Sequence, residues 1–315
     1  MINSKIALIF PGQGSQLVGM GKDLADKYPA ARHTFEEADE ALGYKLSQVC
    51  FEGPEDQLRL TEVTQPAILT ASIAALRVVE THLPKPSFVA GHSLGEYSAH
   101  VASGTFGFAD AVRTVRHRGR YMQEAVPVGV GAMAAILGMD LEKVAGVCRD
   151  AAQGGVCSPA NINSPEQVVI SGNTAAVERA AKLADERGAK RAKLLPVSAP
   201  FHCPLMKPAQ DRLEEDLKKL TMHKPVYPVA CNVDADFVND DLRTLDTLVR
   251  QVTGSVKWDQ CMRLLIAQGV ETFIEVGPGK VLCGLMRQID RTKTCFNVGD
   301  EGSLKKTLET LSQQA

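Results

Sequence analysis

The segment Gly91-His92-Ser93-Leu94-Gly95 is a G-x-S-x-G motif, following a short apolar run and opening a helix-forming stretch. In a strand–turn–helix context the flanking glycines admit a sharp turn that lifts the serine hydroxyl off the sheet edge. The helix start adds backbone N–H groups for a developing oxyanion. Ser93 is therefore the candidate nucleophile, the alternative being an ordinary glycine-rich helix start.

A serine nucleophile needs a base, and seven histidines are available. His92 adjoins Ser93 on the tight turn, so its ring should diverge from the hydroxyl. His202 stands between Pro200 and Pro204 and beside Phe201. Proline fixes φ, so this imidazole is displayed on a stiff segment and is the candidate base, against a packed loop histidine. No Asp or Glu is evident as the group that orients it. The order Ser…Asp/Glu…His of α/β-hydrolases, with the histidine late in the chain, is not followed. A backbone or amide carbonyl could orient the ring instead.

Residues 109–123 read as a helix. At 100° per residue Ala111, Val115, Arg118 and Met122 fall within about 60° of one another. Arg113, Arg116 and Arg120 face the other way, toward solvent. Arg118 is the one basic residue in the apolar stripe, and a buried guanidinium needs an anion. That anion is either an internal acid or a ligand carboxylate, whose geometry the guanidinium fork matches.

These groups require a sheet to present them. Residues 5–10 read as a strand stopped by Pro11-Gly12, 61–82 as a long helix containing Pro66, and 87–90 as a strand before the serine turn. Near the C-terminal end, 272–276 is strand-like, 280–289 helical and 294–298 a strand. Alternating strands and helices of this kind mark an α/β protein with a largely parallel sheet. Between them lies β-α-β-β-α-β, at 132–137, 141–152, 156–162, 167–171, 174–186 and 190–197, the order of a ferredoxin-like unit. The expected organisation is a large α/β domain, α/β-hydrolase-like, made of residues 1–126 and 197–315. A small ferredoxin-like domain, 127–196, is inserted in it. Gly129-Val130-Gly131 precedes a strand instead of following one, which argues against a dinucleotide fingerprint.

Composition narrows the classes. The 315 residues are 44% hydrophobic and 23% charged, ordinary for a folded chain and unlike disorder. Thirty-five Lys and Arg balance 37 Asp and Glu, a net charge of −2, which is not the basic footprint of a nucleic-acid protein. The uncharged stretch 126–139 falls short of the roughly 18 residues of a membrane span, and the N-terminus lacks the apolar core of a secretory signal. Eight cysteines without a C-x-x-C pair read as reduced cytoplasmic thiols, with neither a disulfide frame nor a metal site.

The motifs Pro11-Gly12-Gln13-Gly14-Ser15-Gln16, Gly91 to Tyr97, Arg118-Gly119, Asn161 to Pro165, Phe201-His202 and Glu275 to Gly279 run in order through almost the whole chain. Together they closely resemble the malonyl-CoA:acyl-carrier-protein transacylases of bacterial type II fatty acid synthesis. The resemblance implies ping-pong transfer through a malonyl-serine. Ser93 attacks the thioester, His202 takes its proton, and Arg118 clamps the malonyl carboxylate. It also implies an oxyanion site at the backbone N–H groups of Gln13 and Leu94, and a main-chain carbonyl of Gln251 orienting His202. His92, Asn161 and Asn163 are expected to face the site, and Phe201 to favour malonyl groups. The implied substrate is malonyl-CoA, with no bound cofactor or metal. The implied partner is acyl carrier protein, docking on basic residues such as Arg116, Arg287 and Arg291. A cytoplasmic monomer without nucleic-acid or membrane partners is expected. The alternatives are a serine hydrolase of short acyl esters, and a malonyltransferase serving a polyketide synthase or malonate decarboxylase.

Overall fold

A computed structural model describes residues 5–197 and 199–313. Among the described residues ten strands form two sheets. β1 (Lys5–Phe10), β2 (Phe88–Gly91), β7 (Val229–Cys231), β8 (Asp236–Val238), β9 (Val270–Val276) and β10 (Thr294–Val298) build the larger, in the order β10-β9-β1-β2-β7-β8. All its pairs are parallel except β7 with β8. The run Ile6 to Phe10 is buried on both faces, as a strand covered by helices on either side must be.

The helix Thr61–Val79 is buried along nearly all its length, so Pro66 removes one backbone donor without ending it. Helix Phe108–Glu124 lies against it. At Gly119 the helices approach so closely that a Cβ would fall on the Thr61 carbonyl. That approach brings the preceding residue, Arg118, into hydrogen-bond range of Gln65 on the neighbouring helix, at 2.8 Å.

The second sheet contains β3 (Gly131–Leu137), β4 (Cys157–Ser164), β5 (Gln167–Asn173) and β6 (Arg191–Leu194), in the antiparallel order β4-β5-β3-β6. Helices Leu141–Ala152 and Thr174–Glu186 cover one face. They share with it a separate core that includes Ile136, Val147, Ile170 and Val177. The other face joins the main core through Met133, Ala160 and Val169. Reciprocal backbone bonds of 2.8 Å, Ile162 N–H to the Val256 carbonyl and Val256 N–H to the Ala160 carbonyl, tie β4 to the larger body.

The mixed α/β architecture and the β-α-β-β-α-β order agree with the sequence reading. The last strand of the smaller sheet is shorter than expected, ending at Leu194. Leu195 to Val197 continue outside the sheet and line the cleft. The expectation of eight reduced thiols is corrected at one pair. Cys283, on helix Val281–Ile289, is bridged to Cys295 on β10, because that helix folds back along the strand that follows it. The other six cysteines are free.

Candidate active site

The turn after β2 carries Ser93 at φ 51°, a left-handed conformation that costs a side-chain-bearing residue of order 1 kcal/mol or more. Three contacts hold it. His92 N–H donates to the Phe10 carbonyl at 3.0 Å, pinning the turn to the end of β1. Ser93 N–H donates to Asn232 Oδ1 at 2.7 Å, and Asn232 Nδ2 donates to the Gly91 carbonyl at 2.8 Å. A Cβ on Gly91 would overlap the Gly95 backbone, and one on Gly95 would overlap the Phe10 carbonyl, so both flanking glycines are sterically required.

His202 also sits at positive φ, 58°, and is 4% exposed. Its Nε2 lies 2.7 Å from Ser93 Oγ and its Nδ1 lies 2.9 Å from the Gln251 main-chain oxygen. A carbonyl only accepts, so Nδ1 carries the hydrogen and Nε2 is left as an acceptor for the serine proton. Burial, reinforced by the Arg118 guanidinium, lowers the imidazole pKa from 6.5 to about 3. The ring is therefore a neutral base at physiological pH.

Arg118 is 1% exposed. It donates to Gln65 Oε1 at 2.8 Å, to Gln251 Oε1 at 2.9 Å and to Ser93 Oγ at 3.1 Å, and it lies over the Tyr97 ring. Its Nε has no hydrogen-bond partner. Among the described residues no acid forms an ion pair with it, so the internal-acid alternative for Arg118 is set aside. Burial pushes its pKa down, the cost of keeping a guanidinium among neutral partners.

These groups open on a cavity of about 460 Å³. Its walls include Gln13, Gln16, Arg59, Gln65, His92, Met122, Met133, Asn161, Phe201 and the segment Leu195 to Val197. His92 does diverge from the serine: its Nε2 meets Asn163 Oδ1 at 2.8 Å. Asn163 thus stands behind His92 and is not itself on the cavity wall, while Asn161 is, with its Oδ1 unpartnered. The backbone N–H groups of Gln13 and Leu94 have no acceptor among the described residues. Of the basic residues expected in solvent, Arg113 and Arg120 are exposed, but Arg116 is half-buried, 4.9 Å from the Tyr44 ring centre. No cluster of three or more His, Cys, Asp or Glu among the described residues could hold a metal.

Gln65 and Asn232 escaped the sequence reading, and Glu96 entered it only as part of the motif from Gly91 to Tyr97, without a role. Gln65 left a faint signal as a polar residue in an almost wholly apolar helix. Asn232 left none, because the Ser93, Gly91 and Glu96 groups it meets lie well over a hundred residues away.

A hydroxyl on a strained turn, a neutral imidazole oriented to accept its proton, and an unpaired guanidinium within reach are the groups a serine-based acyl transfer would use. The family model of the acyl transferase domain matches residues 7–306, and the chain belongs to that family. Malonyl CoA-acyl carrier protein transacylase of Escherichia coli (strain K12) is 50% identical over 307 residues, covering 97% of this chain and 99% of that one. An acyl carrier protein S-malonyltransferase from Vibrio cholerae is 50% identical with a TM-score of 0.94, over 96% of this chain and 100% of that one. A malonyl-transacylase in complex with a type II PKS acyl carrier protein is 46% identical with a TM-score of 0.95, over 98% and 100%.

Proposed function

We propose that this enzyme transfers a malonyl group from malonyl-CoA to the phosphopantetheine thiol of acyl carrier protein, through a malonyl ester on Ser93. Ser93 Oγ attacks the thioester carbonyl while its proton passes to His202 Nε2. The oxyanion that forms is held by the backbone N–H groups of Gln13 and Leu94. The intermediate collapses, breaking the carbon–sulfur bond, and the coenzyme A sulfur leaves with the proton from His202. The carrier thiol then gives its proton to His202 and attacks the ester, and Ser93 recovers the proton as it departs. Arg118 holds the malonyl carboxylate throughout, with Gln251 orienting His202 and with His92, Asn161, Asn163 and Phe201 shaping the acyl site.

The observation that carries this reading is Arg118, a buried guanidinium with neutral partners only, 3.1 Å from the candidate nucleophile. A hydrolase of simple acyl esters has no use for such a group. Acyl transfer between thiols requires no redox or metal chemistry, so no cofactor is called for. The separate core of the smaller sheet supports a large domain of residues 1–126 and 197–315 with residues 127–196 inserted as a small one. A cytoplasmic monomer belongs to this reading; among the described residues no helix is long and apolar enough to cross a membrane.

Incubation with malonyl-CoA, with and without carrier protein, tests the function. Malonyl-carrier thioester is the expected product, and free malonate in its place would favour the hydrolase. Comparing fatty acid and polyketide carriers identifies which pathway is served. Arg287 and Arg291 are exposed, and charge reversal there should raise the carrier KM.

A further inference from the structure

Glu96 is a fully buried carboxylate on the first turn of helix Gly95–Ala102, three residues beyond the nucleophile. One of its oxygens, Oε2, accepts two hydrogen bonds, from Gln251 Nε2 at 2.8 Å and from the backbone N–H of Asn232 at 2.9 Å. The other, Oε1, has no partner. Burying a carboxylate this deeply is costly, and the acyl-transfer steps leave it without a task.

Its two partners touch every reacting group. Asn232 accepts the Ser93 N–H and anchors the turn. Gln251 receives His202 Nδ1 on its main-chain oxygen and an Arg118 N–H on its side-chain oxygen. The Gln251 amide could sit either way round on shape alone. Glu96 and the Ser93 carbonyl are both acceptors, and both take hydrogens from Nε2, so Oε1 is directed at the guanidinium. The reversed amide would set its N–H groups against those of Arg118.

We propose that Glu96 is a positioning residue for acyl transfer, fixing the Gln251 amide so that Arg118 is held ready for the carboxylate of the acyl group. The Glu96 carboxyl stands one side chain away from Arg118, behind the Gln251 amide. The guanidinium therefore keeps neutral partners and a substrate carboxylate meets no competing acid. This inference rests on the malonyl-transfer reading of Ser93, His202 and Arg118.

The test compares malonyl-CoA with acetyl-CoA as donors for the wild type, Glu96→Ala, Glu96→Gln, Gln251→Leu and the Glu96→Ala/Gln251→Leu double variant, with thermal melting alongside. Glu96→Ala should lower malonyl kcat/KM about 10-fold or more and lower the malonyl-to-acetyl ratio with it. Glu96→Gln offers a carbonyl at the Oε2 position and should restore that ratio to within about 2-fold of the wild type. Gln251→Leu should reduce the ratio as Glu96→Ala does, and the double variant should fall no further, since both interrupt one chain of contacts. A carboxylate serving only the fold would lower the melting temperature and slow both donors equally. Equal slowing of both donors, Glu96→Gln as unselective as Glu96→Ala, or additive losses in the double variant would each overturn the proposal. Should Glu96→Ala fail to fold, an unchanged ratio in Gln251→Leu would overturn it alone. A wild type that forms no malonyl-serine refutes the transfer reading and this inference with it. A wild type that forms it, with variants of unaltered selectivity, refutes this inference only.

Discussion

Arg118 donates to Ser93 Oγ at 3.1 Å while Ser93 Oγ lies 2.7 Å from His202 Nε2. One hydroxyl thus stands between a permanent cation and a neutral base. The guanidinium is buried on the apolar stripe of its helix, and its side-chain partners, Gln65, Gln251 and Ser93, carry no charge. That arrangement leaves its attraction for an anion unspent.

Arg118→Ala should lower malonyl kcat/KM about 100-fold, the order expected from losing two charged hydrogen bonds. Acetyl transfer should hold steady or rise. Arg118→Lys should recover only part of the loss, because an ammonium lacks the planar fork. Steady-state rates with the two donors measure this, and equal losses for both would refute the clamp.

Ser93→Ala should abolish the covalent malonyl adduct and reduce transfer by about 10⁴-fold or more. Intact-protein mass spectrometry after brief exposure to malonyl-CoA reads the adduct directly. An adduct that survives the substitution would remove Ser93 from its role.

His202 stays unprotonated far below neutrality, since burial and then Arg118 bring its pKa down to about 3. Acylation measured as kcat/KM should therefore change little between pH 7 and pH 5, with its acid limb below that range. An acid limb centred near 6.5, the ordinary imidazole value, would show that the ring is not held as described.

Stability should follow pH in a related but distinct way. His202 and His100 are both lowered from 6.5 to about 3. Between those values the unfolded chain binds protons that the folded one refuses, so acidification there costs stability. Glu96 and Glu275 are raised by burial from 4.5 to about 7. For them the folded chain holds the extra protons, so acidification from 7 to 4.5 adds stability and alkalinisation through 7 removes it. These four groups offset one another between about 6.5 and 4.5; below 4.5 the histidines, His92 included, and carboxylates held low by charged partners, such as Asp234 beside Arg250, all cost stability on acidification. Urea midpoints across pH 8 to 3.5 should thus stay nearly level through the middle and drop at the acid end. A steady decline from pH 6.5 would contradict that balance.

Gly119→Ala places a methyl group against the Thr61 carbonyl. Overpacking of this kind costs about 1–3 kcal/mol and should lower the melting temperature by several degrees. It should also raise the malonyl KM, since the helix that shifts carries Arg118. A variant melting like the wild type would show that the two helices do not pack so closely.

What the sequence made legible is what depends on local pattern. The strand Lys5–Phe10 and the helices Leu141–Ala152 and Thr174–Glu186 lie where periodicity and flanking turns put them. Ser93 was visible through its glycines and Arg118 through its place on an apolar stripe. The resemblance supplied the Gln251 carbonyl, which residue types alone could not. The short strands β7 and β8, three residues each, carry too little pattern to be seen. Asn232, and the role of Glu96 within its motif, were hidden for another reason: their value lies in partners 139 and 155 residues away. Likewise, nothing in the spacing of Cys283 and Cys295 announced that helix and strand would bring them together.

The Arg118–Ser93 contact engages one of the two lone pairs of the hydroxyl oxygen. On the proposed reading, a carboxylated acyl group that drew the guanidinium to itself would release that lone pair and make the serine a better nucleophile, whereas an acetyl group would leave it engaged. Recognition of the distant carboxylate and reactivity of the hydroxyl would then be linked through one shared donor, so that substrates would be sorted in the bond-forming event as well as in the initial encounter.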